Sequence, residues 1–135
     1  MYEVILPVGA EKVDGAVAQA EAIADLPGEP EEIHVTITHT FVDNPSGASI
    51  SQIQPARRAS ERLEDAGIAV DLDERSGNPT EEILDLAAET DADLVCIGGR
   101  KRTPTGKALF GSVTQSVLLE ATCPVMVCHP EPAED

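Results

Sequence analysis

The sequence predicts an α/β fold: an open, doubly wound, five-stranded parallel sheet with helices on both faces. Two observations carry that expectation. Apolar, β-branched runs alternate with segments of helical spacing four times, and the chain closes on a fifth apolar run. The runs are near-continuous rather than strictly alternating, as strands covered on both faces require. With 135 residues, 41% of them hydrophobic, the chain is long enough for one domain with its own core. That domain is expected to span 1–135, with a polar tail at about 131–135.

The first strand is read in Tyr2–Val8, "YEVILPV". Val13, Val17, Ala20, Ile23 and Ala24 then recur at helical spacing and predict a helix from Lys12 to about Leu26, closed by "PGEPEE". "IHVTITHT", Ile33–Thr40, is β-branched and predicts the second strand. After the loop "FVDNPSGAS", a second helix is expected over Ser51–Ala66, with Pro55 weakening its first turn and Gly67 as its C-cap. Ile68–Glu74 follows as a third strand near a solvated edge. "SGNPTEEILDLAAETDA" holds the clearest local start signal: Asn78 as cap, Pro79 at the first helical position and Glu81 at the third. Ile83, Leu84, Leu86 and Ala87 are its expected buried stripe. Asp93–Gly99 predicts the fourth strand. A fourth helix starts near Ser112, with Val113, Val117 and Leu118 toward the sheet, and Cys123–Pro130 gives the last strand.

Charge and composition exclude several function classes. The formal net charge is −16, from 25 Asp and Glu against nine Lys and Arg. General binding to a nucleic-acid backbone needs the opposite surface. No apolar run is long enough to cross a bilayer. The N-terminus enters a strand-like segment with no basic leader, so a cytoplasmic location is expected. Cys96, Cys123 and Cys128 are an odd count in or beside apolar segments and are read as buried free thiols, not a disulfide framework. The acidic excess suits a host with a salty cytoplasm, where salt screens self-repulsion.

Against that charge, Cys96–Leu119 stands out. It carries Arg100, Lys101, Arg102 and Lys107, four of the nine basic residues, and four of the ten glycines. It lies beyond the carboxyl end of the fourth strand, where ligands of such sheets sit. Gly98 permits close backbone approach, and Gly111-Ser112 opens a helix whose free N–H groups suit a phosphate. Two blander possibilities stand beside this. Ser112 can simply cap the helix with Gln115 completing the box, and the basic residues can offset local self-repulsion. Gly106-Lys107 fails the P-loop spacing, and "GAEKVDG" after the first strand is not a dinucleotide-binding loop. His34, His39 and His129 form no metal motif, and His34 and His39 should point to opposite faces of one strand, with a local hydrogen bond expected for His39. No metal site is expected. Ser112 and His39 lack the G-x-S-x-G context of a serine hydrolase, and no catalytic residue is assigned.

With these residues in view, nearly the whole chain, through "PTEEILDLAAETDADLVCIGGR" and "PVMVC", resembles the universal stress protein family. The resemblance implies strand order 3-2-1-4-5 and a G-x-x-G-x₉-G-[ST] nucleotide signature. Gly98, Gly111 and Ser112 match that signature, while Lys101 stands at its second glycine. Pro7 matches the proline ending the first strand, Gly9 stands where an acidic residue is usual, and Thr40 follows His39 at a usually hydrophobic position. The implied site is therefore a modified one: Pro7, Gly9, Thr40, Gly98, Arg100, Lys101, Gly111, Ser112 and Val113. ATP or AMP is its implied ligand, with magnesium accompanying ATP, and any catalysis is at most slow ATP hydrolysis. The resemblance also implies a homodimer through the last strand, at Pro124, Val125, Met126 and Val127, and a further protein partner that the sequence does not identify. Charge and resemblance together point to a salt-adapted archaeon. The competing class is a nucleotide-independent, homodimeric interaction module in stress response.

Overall fold

A computed structural model describes residues 1–10, 13–44, 47–98 and 111–128 of the chain. Its elements run β1 (Tyr2–Pro7), α1 (Val13–Ala24), β2 (Ile33–Phe41), α2 (Gln54–Asp65), β3 (Ala69–Ser76), α3 (Pro79–Glu89), β4 (Leu94–Gly98), α4 (Ser112–Glu120) and β5 (Val125–Cys128). The strands form one five-stranded parallel sheet in the order β3-β2-β1-β4-β5, as expected. Arg100, Lys101, Arg102, Lys107 and the polar tail lie outside the described residues.

The continuous apolar runs have their cause in the two layers. Val4, Ile5 and Leu6 are consecutive, point alternately to opposite faces, and are all 0% exposed. One face packs Val4, Leu6, Val35 and Ile37 beneath Ala20 and Ile23 of α1 and Ala59 and Leu63 of α2. The other packs Ile5, Val95 and Ile97 against Ile83 and Leu86 of α3 and Val117 of α4. With so few aromatics, the core is filled by branched aliphatic side chains. Alanines where α1 and α2 meet the sheet let those helices approach closely.

Local signals hold at the ends of α2 and α3. Gly67 sits at φ +84 after α2; its N–H donates to the Glu64 carbonyl, and that of Ile68 donates to Leu63. Asn78 caps α3, its Oδ1 accepting from the Glu81 N–H at 3.1 Å.

Three expectations are corrected. The second helix begins at Gln54, not Ser51, and Ile50–Gln52 forms a separate 3-10 turn. A helix from Ser51 would put Pro55 where its missing N–H is needed for an i→i−4 bond; from Gln54, Pro55 falls in the first turn, where none is needed. On α1, Ala20 and Ile23 are buried as expected, but Val13, Val17 and Ala24 are only partly buried; Ala16 and Gln19 complete the buried stripe, Gln19 because it finds internal partners. Leu118 is 40% exposed, and Thr114 takes the inward position on α4.

Candidate functional site

At the carboxyl ends of β1, β2 and β4 the chain leaves a crevice of about 320 Å³. It opens beside the β1–β4 pair, where successive connections turn from one side of the sheet to the other, and such switch points leave space between diverging loops. Of the residues singled out from sequence, Pro7, Gly9, Thr40, Gly98, Gly111 and Val113 line it. Ser112 is exposed and absent from the lining, and Arg100 and Lys101 lie outside the described residues.

Each wall has a local cause. β1 ends at Pro7, and β2 runs past it to Phe41. The Val8 N–H donates to the Thr38 carbonyl at 2.9 Å, so the first residue after β1 stays tied to β2. His39 Nδ1 donates to the Val8 carbonyl at 2.8 Å. A carbonyl only accepts, so this bond places a proton on Nδ1. The His39 ring also meets Phe41 edge to face, with centroids 4.6 Å apart. The expected local bond of His39 is therefore present, and it fixes the ring at the rim of the crevice.

The floor between β1 and β4 is held by a residue that sequence reasoning missed. Gln19 of α1 is 3% exposed. Its Nε2 donates to the Pro7 carbonyl at 2.8 Å and to the Cys96 carbonyl at 3.0 Å. Both amide hydrogens are thus spent on the two strand ends that frame the crevice. Its Oε1 lies against Gly98: a Cβ there would come within 3.2 Å of that oxygen. Glycine at 98 is favoured by this close approach, not by a positive φ. A glutamine on the inward stripe of a helix was the available signal, because a buried amide needs partners.

The far wall is the start of α4. Gly111 is its N-cap in extended conformation, φ −70 and ψ 165, and supplies no side-chain cap. Ser112 is thus the first helical residue and not the cap. The helix is anchored instead from within: Thr114 Oγ1 donates to the Gly98 carbonyl at 2.9 Å. That bond ties the two described ends of the glycine-rich connection together, and the first turn of α4 opens beside the crevice. Pro79 and Ile83 of α3 complete an apolar side.

The chemistry on offer is that of a binding site. The lining is mainly apolar, with a few polar groups from Gln19, Thr38, His39, Thr40 and Thr114, the make-up of a small-molecule site. Among the described residues no cluster of three or more His, Cys, Asp or Glu is placed to hold a metal ion. Nor is any described helix long and apolar enough to cross a membrane.

Comparison with known proteins agrees with the fold. The universal stress protein family matches residues 1–129. A universal stress protein of Mycolicibacterium smegmatis (strain ATCC 700084 / mc(2)155) is 34% identical over 99 residues, which is 73% of this chain and 73% of that one. The solved structure of a universal stress protein from Archaeoglobus fulgidus aligns with a TM-score of 0.69 at 25% identity, covering 95% of this chain and 98% of the other. A universal stress protein structure from Archaeoglobus fulgidus in complex with dAMP aligns with a TM-score of 0.64 at 20% identity, again over 95% and 98%.

Proposed function

Since this chain belongs to the universal stress protein family, we propose that it binds an adenine nucleotide in the crevice at the β1–β4 switch point and acts as a nucleotide-responsive stress protein. One observation carries the reading: Pro7, Gly9, Thr40, Gly98, Gly111 and Val113, far apart in sequence, line a single crevice. The dAMP complex of the Archaeoglobus fulgidus relative supports the ligand class. In this reading the base lies along the Pro7–Val8 and Thr40 side. The phosphates meet the first turn of α4 at Gly111, Ser112 and Val113, where backbone N–H groups and the helix dipole favour an anion. Arg100 and Lys101, which lie outside the described residues, add two positive charges to the connection between Gly98 and Gly111. Gly9 brings no carboxylate to the base, so AMP or ATP is held by shape and phosphate contacts more than by an acidic anchor. Magnesium accompanies ATP, and turnover is at most slow hydrolysis.

The finer parts of the reading concern assembly and setting. A homodimer through Pro124, Val125, Met126 and Val127 is supported by the position of β5 at an edge of the sheet with half-buried apolar side chains. A protein partner, a cytoplasmic location and a salt-adapted archaeal host complete it; the net charge of −16 suits the salt adaptation alone.

Calorimetry tests the central claim. Protein stripped of copurified nucleotide is titrated with AMP and with ATP at high salt. Saturable binding to the wild type, lost in a folded Gly111→Arg variant, is the expected result. A folded wild type that binds neither nucleotide overturns the reading and leaves the nucleotide-independent interaction module.

A further inference from the structure

Cys96 and Cys128 take no part in the crevice lining, yet they are placed together. They lie on neighbouring parallel strands, with Cys96 opposite Met126 and Gly98 opposite Cys128. Two positions of offset keep both side chains on the same face, under α1, in the same apolar cluster. Their sulfurs are 3.1 Å apart. A disulfide needs about 2.0 Å, so about 1 Å of further approach closes the bond. Cys123 packs with the cluster on the opposite face of the sheet and cannot reach either sulfur.

We propose that Cys96 and Cys128 form an oxidisable dithiol, a modification site at which a peroxide-class oxidant closes an intramolecular disulfide between β4 and β5.

The two sulfurs differ in a way that orders the steps. The Cys96 thiol also lies 3.8 Å from the Gln19 carbonyl, is 0% exposed, and has its pKa pushed up by its hydrogen bond to Cys128 and then by burial. Cys128 is 7% exposed, and its hydrogen bond with Cys96 holds its pKa below the ordinary thiol value, against the opposing effect of burial. Cys128, the more exposed of the two, is therefore the sulfur an oxidant meets first, and its lowered pKa favours the attacking thiolate there. Its lone pair attacks one peroxide oxygen; the O–O bond breaks, leaving a sulfenic acid and one water once the leaving hydroxide takes a proton. Cys96 sulfur then attacks the sulfenic sulfur, the S–O bond breaks, and the Cys96 proton departs with the hydroxide as a second water. Two electrons pass from the sulfur pair to one peroxide, and two protons leave the thiols. Reversal needs a dithiol reductant through thiol–disulfide exchange.

The full chain is reduced, desalted, treated with hydrogen peroxide, unfolded and alkylated, then weighed and mapped by mass spectrometry. The expected result is loss of two of the three alkylations, a linked Cys96–Cys128 peptide, and return of all three after dithiothreitol. A Cys96→Ser variant, which keeps a donor beside Cys128 but lacks the resolving sulfur, should stop at a Cys128 sulfenic acid, trapped by dimedone. The proposal is overturned if all three cysteines of the folded wild type still alkylate, if the linked peptide contains Cys123, or if Cys128 over-oxidises while Cys96 stays free.

Discussion

Gln19 shows how much one buried polar side chain decides. Its amide is the shared donor for the Pro7 and Cys96 carbonyls. Gln19→Leu keeps the volume and removes both bonds, so it should destabilise the fold by about 2 kcal/mol, read as a lower urea midpoint. His34, only partly buried, acts in a similar way on the sheet face away from α1. Its Nδ1 meets Glu3 Oε2 at 2.7 Å and its Nε2 meets Asp71 Oδ2 at 2.7 Å, joining β1, β2 and β3. The Glu3 hydrogen bond is the main cause raising its pKa, burial opposes it, and Asp71 adds to the rise. Because the folded value is raised, this stabilisation is complete below the ordinary value of about 6.5 and is lost as pH climbs through the folded one. The loss should be about 1 kcal/mol or less, since Asp71 is well exposed and the pair is screened. Urea titrations from pH 5 upward should show the slope in the wild type and a flatter curve in His34→Gln.

At the scale of elements, helix ends were the most legible part of the sequence. Gly67 closes α2 in a left-handed turn, and a Cβ there would meet Pro30 Cβ at an unremarkable 3.6 Å. The penalty for Gly67→Ala is therefore conformational, about 1 kcal/mol, and should appear as a lower melting temperature without a change in the crevice. Asn78→Ala removes the α3 cap and should cost about 1 kcal/mol, while Asn78→Asp or Asn78→Ser retains most of it. Asn78, Pro79 and Gly67 were readable because caps are written within four or five neighbouring residues. The rotation of α1 and α4 was not: whether Val17 or Gln19, Leu118 or Thr114, turns inward depends on carbonyls contributed by distant strands. Strand existence followed from periodicity, whereas strand order came from family resemblance, since parallel pairing leaves no local mark. The crevice was half legible for the same reason. Glycines and the end of β1 announce it, while Gln19, Ile83 and Thr38 belong to it only once the sheet has brought them there.

Across the whole molecule, charge sets the working conditions. A net charge of −16 on 135 residues repels itself, and the repulsion falls as the Debye length shrinks from about 10 Å at 0.1 M salt to about 3 Å at 1 M. The urea midpoint should rise between those concentrations of potassium chloride, and an equal midpoint at both would remove the argument for a salt-adapted fold. Charge is also spread unevenly over the two borders of the sheet. On β3, Asp71, Asp73 and Arg75 share one face, and Arg75 is engaged by Asp73, Glu82 and Glu89, while β5 carries Val125, Met126 and Val127. A ribbon of molecules stacked border to border would need two borders that accept strangers, and this sheet has one hospitable and one guarded. Two molecules meeting along β5 present only guarded borders outward, so such an assembly ends at a pair and does not lengthen into a fibre.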